Sequence, residues 1–184
     1  MLAGRDCRKT FALELLQQGW ASTILLSVDR FEIRRFSQLK LPVSLDLLAI
    51  ASRTEPRRRH YFVKFDSETT EAQRIAVSRF GTLNEISAFA DWLTIHRPIR
   101  SAIVVSSGFH LKRVRMCCRR LVREGTRLTF VAVPDEAQYL RRRWWRNSNA
   151  RKLVLSELLK VAIYQLMGQR MMTRARSAPA FTEG

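Results

Sequence analysis

The chain has 184 residues, 46% apolar and 27% charged, which is enough to bury one continuous core and reads as a single globular domain. Its 33 basic residues, 27 of them arginine, face only 16 acidic ones, and the resulting charge of +17 attracts phosphates, nucleic acid and anionic lipid without fixing a fold. No stretch reaches the roughly 18–20 apolar residues of a membrane helix and the start lacks the order of a secretory signal, so a cytoplasmic protein, at most peripheral to a membrane, is expected. Cys7, Cys117 and Cys118 show no CxxC spacing, and His60, His96 and His110 lie far apart in sequence, so neither a disulfide framework nor a metal site is expected.

In chain order, residues 5–18 read as a helix with Phe11, Ala12, Leu15 and Leu16 on one face and Gly19 closing it. Residues 23–28, TILLSV, read as a buried strand. A helical turn or two is expected over 30–36, a clearer helix over 44–52, and a strand over 61–65. The stretch 66–80, DSETTEAQRIAVSRF, suits either a returning strand or a short helix. Leu83, Ile86, Ala90 and Leu93 give a helical stripe, residues 102–105 a strand, and Leu111, Val114, Cys118 and Leu121 the next helix. LTFVAV, 128–133, is another strand halted by Pro134. The last helix is the most regular, with Leu155, Leu158, Leu159, Ala162, Ile163 and Leu166 recurring at three and four and expected to face the core.

Helices alternating with short unbroken apolar strands predict an α/β fold, doubly wound, with a mostly parallel sheet covered on both faces. The domain is expected to occupy residues 1–168, its first strand short or truncated, with 169–184 a disordered basic tail.

In such a sheet, ligands bind where strands end and helices begin, because helix N-termini offer unpaired N–H groups there. That edge collects Arg5, Ser27, Thr82, Glu85 and the stretch SSGFHLKR. Thr82 with Glu85 matches the T-x-x-E capping box, a structural role that coexists with holding a ligand hydroxyl or amine. Ser107 is a natural N-cap. His110 and Arg113 fall in the first two helical turns, where the helix dipole disfavours cations by roughly 0.3–1 kcal/mol each, a penalty a bound anion reverses. Against that, Lys112, Arg115, Arg119, Arg120 and Arg123 make the helix basic throughout, so Arg113 is equally readable as one more solvated charge.

The Gly-rich dinucleotide and P-loop spacings are absent. RRRWWR, 141–146, mixes stacking aromatics with arginine as single-strand binders do, although paired tryptophans more often anchor a loop. Arg57-Arg58-Arg59-His60 reads as a solvated run before a strand, and Glu157 suits a pair with Lys160 three residues on.

GTLNEI followed about twenty-five residues later by IVVSSGFHLKRV resembles the paired signature of the YdcF/SanA/ElyC-like family, a bacterial domain of poorly defined function. The matching positions are Thr82, Glu85, Ser106, Ser107, Phe109, His110 and Arg113, with Glu157 and Lys160 resembling the family's closing helix. The resemblance implies a Rossmann-like three-layer α/β/α fold, envelope roles for some members and S-adenosylmethionine binding for others. This sequence departs from the pattern in its nearly absent first strand and in reading Ser27-Val28-Asp29 where the family has Ser-Gly-Gly. The expected activity is binding of, or catalysis on, a small anionic ligand, phosphorylated or nucleotide-like. His110 and Glu85 are then the candidate catalytic pair, and Thr82, Ser106, Ser107, Arg113, Ser27 and Arg5 the ligand contacts. Nucleic acid or an anionic membrane surface, bound through the arginine runs, is the alternative partner.

Overall fold

The computed structural model describes residues 6–36, 39, 45–66, 69–76, 81–96, 99–134 and 144–166. Arg5, Ser44, Arg141–Arg143, the proposed first strand and the proposed basic tail lie outside the described residues. The first helix, α1, spans Asp6–Gln17; Gly19 follows at φ 76°, the left-handed conformation a glycine tolerates, while Gly19 N and Trp20 N bond Leu16 O and Leu15 O. Strand β1 is Ile24–Asp29, followed by a short helix α2, Ile33–Phe36. Helix α3, Leu47–Ser52, starts later than the sequence suggests because Asp46 is its cap, its carboxylate accepting from Ala49 N.

Strands β2, His60–Phe65, and β3, Thr70–Arg74, settle the undecided stretch as a returning strand. Thr69 O accepts from Asp66 N while Asp66 Oδ1 accepts from Thr69 N, and this tight turn folds β3 back on β2. Helix α4 is Gly81–Ile95, β4 Ser101–Ser106, α5 Gly108–Leu121, β5 Arg127–Ala132 and α6 Ser148–Leu166.

The chain is mixed α/β, but the expectation of a mostly parallel sheet needs correction. The described strands form two sheets: β1-β2-β3 antiparallel, and β4-β5 parallel through the α5 crossover. An unbroken apolar run reports burial on both faces of a strand and carries no information on its direction. The turn at 66–69 and the helical excursion through α2 and α3 decide direction here.

Alternation along the strands sorts the core. Ile24, Leu26 and Val28 of β1 pack with Ala12 and Leu13 of α1 and with Val105 of β4, whereas Leu25 packs with Phe62, Ala88 and Phe89 on the α4 side. Val104 likewise joins Leu83, Ile86, Val114 and Cys118 in the cluster between α4 and α5. Thus α1 and α4 lie against opposite faces of β1.

The last helix reverses its expected orientation. Leu155, Leu158, Leu159 and Leu166 are 50–87% exposed, and the buried face carries Ala150, Glu157, Val161 and Tyr164. The leucine stripe is the more hydrophobic side, but the opposite side holds the carboxylate that the partner helix requires, so the electrostatic partner sets the rotation. Leu159→Gln should therefore change stability by no more than about 0.5 kcal/mol, while Ile86→Ala, fully buried, should cost about 2–5 kcal/mol. Urea denaturation of the two variants checks this, and a large loss for Leu159→Gln would contradict the observed face.

Candidate functional site

The strand-to-helix junction at Ser106-Ser107-Gly108 is the entry to α5, with His110 N and Leu111 N already bonding Ser107 O. Ser107 stands at the N-cap with extended backbone, φ −65° and ψ 145°, yet its hydroxyl makes no capping bond. Both Ser106 and Ser107 are 0% exposed, and neither Oγ has a hydrogen-bond partner. Leaving a buried hydroxyl unpaired costs about 1–3 kcal/mol. Two consecutive ones stand at the positive end of a fourteen-residue helix.

Beside them lies a network built from α4, α5 and α6. Arg113, 6% exposed, donates from Nε to Glu157 Oε2 at 3.1 Å, from Nη2 to Glu157 Oε1 at 3.2 Å and from Nη1 to Thr82 Oγ1 at 2.6 Å. Its guanidinium also lies 5.5 Å from the centroid of the Tyr164 ring. Glu157 further accepts Lys160 Nζ at 2.8 Å, as the sequence spacing suggests. His110 Nδ1 sits 3.0 Å from Glu157 Oε2 and 2.7 Å from Arg113 Nη2; Nε2 is 3.5 Å from Thr82 Oγ1. No tautomer satisfies both Nδ1 contacts; with Nδ1 protonated the ring donates to Glu157 while facing the donor Arg113 Nη2 at 2.7 Å, Arg113 Nη1 donates to Thr82, and the Thr82 hydroxyl turns its proton toward Nε2. His110 then presents a basic nitrogen on the Thr82 side of the ring, held in place by a carboxylate, as in a general base.

Burial, reinforced by the charges of Arg113 and Arg8 and opposed by Glu157, lowers the His110 pKa from 6.5 and leaves the ring neutral at pH 7. For Glu157, burial alone would raise the pKa. Hydrogen bonds from His110 and Lys160, together with the Arg113 charge, outweigh burial and take it down to about 2.

A second network adjoins the first one turn along α4. Ser27 Oγ donates to Glu85 Oε1 at 2.8 Å, and His60 Nε2 lies 2.8 Å from Ser27 Oγ and 3.1 Å from the same carboxylate oxygen. Because the Ser27 proton goes to Glu85, His60 Nε2 is the donor to both oxygens. It cannot take a proton from Ser27, so this is not a nucleophilic triad despite its composition.

The structure brings together Thr82, His110 and Arg113 in one network, Ser27 and Glu85 in the other, and places Ser106 and Ser107 at the head of α5. It corrects four readings. Helix α4 already begins at Gly81, so Thr82 is inside the first turn and its hydroxyl serves Arg113 and His110 instead of capping. Arg113 is not a solvated charge but spends its fork on Glu157 and Thr82. His60 is 7% exposed, not part of a solvated run, because its place in β2 turns it inward while Arg57 and Arg58 remain outside. Trp145 is 54% exposed instead of sealing a loop.

The sequence names His60 and Glu157 but not their distant partners Glu85 and Arg113, which lie 25 and 44 positions away. Lys9 and Glu32, a buried ion pair linking α1 to the turn after β1, leave no spacing signal either. Cys117 and Cys118 offer no reactive alternative, since burial pushes Cys117 up to about 11 and Cys118 to about 12. Among the described residues, no group of three or more His, Cys, Asp or Glu side chains is arranged to hold a metal ion, and no helix is long and apolar enough to cross a membrane.

Removing one member of the Arg113–Glu157 pair leaves the other charge buried, so Glu157→Gln should cost about 3–5 kcal/mol. Lys160→Met, at a side chain 47% exposed, should cost under about 1 kcal/mol. Acidification should destabilise the fold in two stages. Below pH 6.5 the unfolded chain protonates His110 before the folded chain does, and below pH 4.5 the unfolded chain protonates Glu157 while the folded carboxylate resists to about pH 2. Urea denaturation from pH 8 to 3 should show stability falling across both windows, and a rise between about pH 7 and 5 would contradict the assignment for His110. Compared with known proteins, the chain matches no family model, no curated protein and no solved structure.

Proposed function

We propose that the head of α5 binds the anionic group of a small phosphorylated or nucleotide-like molecule and that His110 acts on it as general acid or base. The observation that carries this reading is the pair of buried, unpartnered hydroxyls at Ser106 and Ser107, directly ahead of a helix N-terminus. An anion oxygen there accepts both hydroxyl protons and the first helical N–H groups, which a structural role for the turn does not explain. Supporting it, the His110 side chain is 12% exposed, so a ligand can reach a ring whose lowered pKa keeps it neutral and basic near pH 7.

Arg113 becomes a positioning residue. Its charge is matched by Glu157, and through Glu157 and Thr82 it fixes the His110 ring. The positive field at the site then comes from the α5 dipole and from Arg8, whose charge reaches His110. The resemblance to the YdcF/SanA/ElyC-like family and its Rossmann-like arrangement supports the same placement, with Thr82, Glu85, His110 and Arg113 at one end of the strands. S-adenosylmethionine, whose carboxylate supplies an anion, belongs among the molecules to test.

Thermal denaturation with inorganic phosphate, nucleotides, sugar phosphates and S-adenosylmethionine tests the proposal. A ligand at 100 times its Kd should stabilise the wild type by about 2.7 kcal/mol, and Ser107→Ala should remove that shift. In the absence of ligand the same variant should be neutral or stabilised by up to about 1–2 kcal/mol, because it deletes an unpaired buried hydroxyl. A Ser107→Ala chain that is less stable without ligand, or that keeps the full shift, would sink the anion site.

A further inference from the structure

The outer face of α6 takes no part in either polar network. Leu155, Leu158, Leu159 and Leu166 lie on it over about 17 Å of helix, each at least half exposed. Single exposed leucines are ordinary on a protein surface, whereas a row of them on one helix face marks a contact surface. Arg151 and Lys152, four and three residues before Leu155, flank the head of the row and are exposed. Arg151 Nη1 donates to Trp145 O at 3.2 Å, which ties the exposed Trp145 and Arg146 to the same end. Glu157 is the one acidic residue of α6 and is buried on Arg113, so the outer face carries positive charge and no negative charge. Beside the row, a groove of about 320 Å³ between α5 and α6 is lined by Phe109, Lys112, Trp144, Val154, Leu158 and Val161. Leu158 belongs to both, so groove and row are continuous.

We propose that this face docks the protein on an anionic lipid bilayer. The α6 leucines and Trp145 enter the boundary of the acyl region, and Arg146, Arg151 and Lys152 meet the headgroup phosphates. Charge selects this occupant. A second copy of the chain meeting across the face would set arginine and lysine against their like on two molecules of charge +17, with no outward carboxylate on α6 to neutralise them. An anionic bilayer supplies both an apolar layer for the leucines and negative charge for the cations. Tryptophan suits the level between the two, because its ring is apolar and its N–H polar.

The fold presents this face ready-made. An isolated amphipathic segment must become helical as it binds, whereas α6 is already held by Glu157 on Arg113 and by Val161 and Tyr164 in the interior, so its leucines face outward before any lipid arrives. The groove adds depth, since its aromatic and aliphatic lining suits a flexible acyl chain lying beside Leu158.

The test is co-sedimentation of the full chain, at about 0.15 M salt, with vesicles of phosphatidylglycerol and phosphatidylcholine in equal parts. Positive charge alone draws a basic protein to such vesicles, so the leucines decide. Leu155→Gln with Leu159→Gln, both at exposed side chains, should leave the urea transition in place and weaken partitioning about tenfold per leucine. Arg146→Gln with Lys152→Gln should weaken it about fivefold per charge. In the wild type, phosphatidylcholine brominated along its acyl chains should quench tryptophan emission in the mixed vesicles, and Trp145→Phe should reduce that quenching. The docking face is overturned if the wild type does not sediment with the mixed vesicles, if the leucine variant partitions as the wild type does, or if brominated chains quench nothing. It is equally overturned by a lipid-free dimer that the leucine variant dissolves, which assigns the face to a second copy of the chain.

Discussion

The carboxylate of Glu157 is the constraint on which the site depends. Arg113, on α5, is buried by the packing of α4 and α5, and a buried guanidinium must be neutralised where it lies. Only α6 brings a carboxylate to it among the described contacts, and α6 does so by turning its Glu157, Val161 and Tyr164 face inward and its leucines outward. One ion pair thus decides the rotation of a nineteen-residue helix against its own hydrophobic preference. The same carboxylate receives His110, so the geometry of the proposed base is a by-product of the interaction that anchors the helix.

The two polar networks have different consequences. The Thr82–His110–Arg113–Glu157 set leaves one imidazole nitrogen directed at a hydroxyl and a partly exposed ring. The Ser27–His60–Glu85 set saturates itself, with one histidine nitrogen donating to two oxygens. Identical residue classes give a potential base in one place and a structural clasp in the other, and the difference lies in which nitrogen faces which oxygen. At the head of α5 the buried hydroxyls of Ser106 and Ser107 stay without partners, an arrangement that costs stability.

Much of the local structure was legible in the sequence. The three-and-four spacing located α4 and α5, the β-branched runs located β1, β2, β4 and β5, and Gly19 marked the end of α1 because a left-handed residue is needed there. Helical periodicity also puts His110 and Arg113 on one face, and the structure brings Thr82 of α4 to them. Strand direction was not legible, because a run buried on both faces looks alike in either orientation. Neither was the choice of face in α6, where hydrophobicity and ion pairing point in opposite ways.

By itself, then, the sequence determined the positions of helices and strands, the strongly basic surface and the clustering of polar side chains at the α5 turn, all consequences of near-neighbour periodicity and charge. Tertiary structure alone decided that β1, β2 and β3 run antiparallel, that His60 is buried against Ser27 and Glu85, and that Arg113 is buried against Glu157 and Thr82. Among the described residues it also leaves β1 and β4 without a ladder to each other across an apolar cavity. Each of these depends on which distant groups meet in a medium of low dielectric, where an unmatched charge or an unpaired polar atom costs more than any local preference supplies.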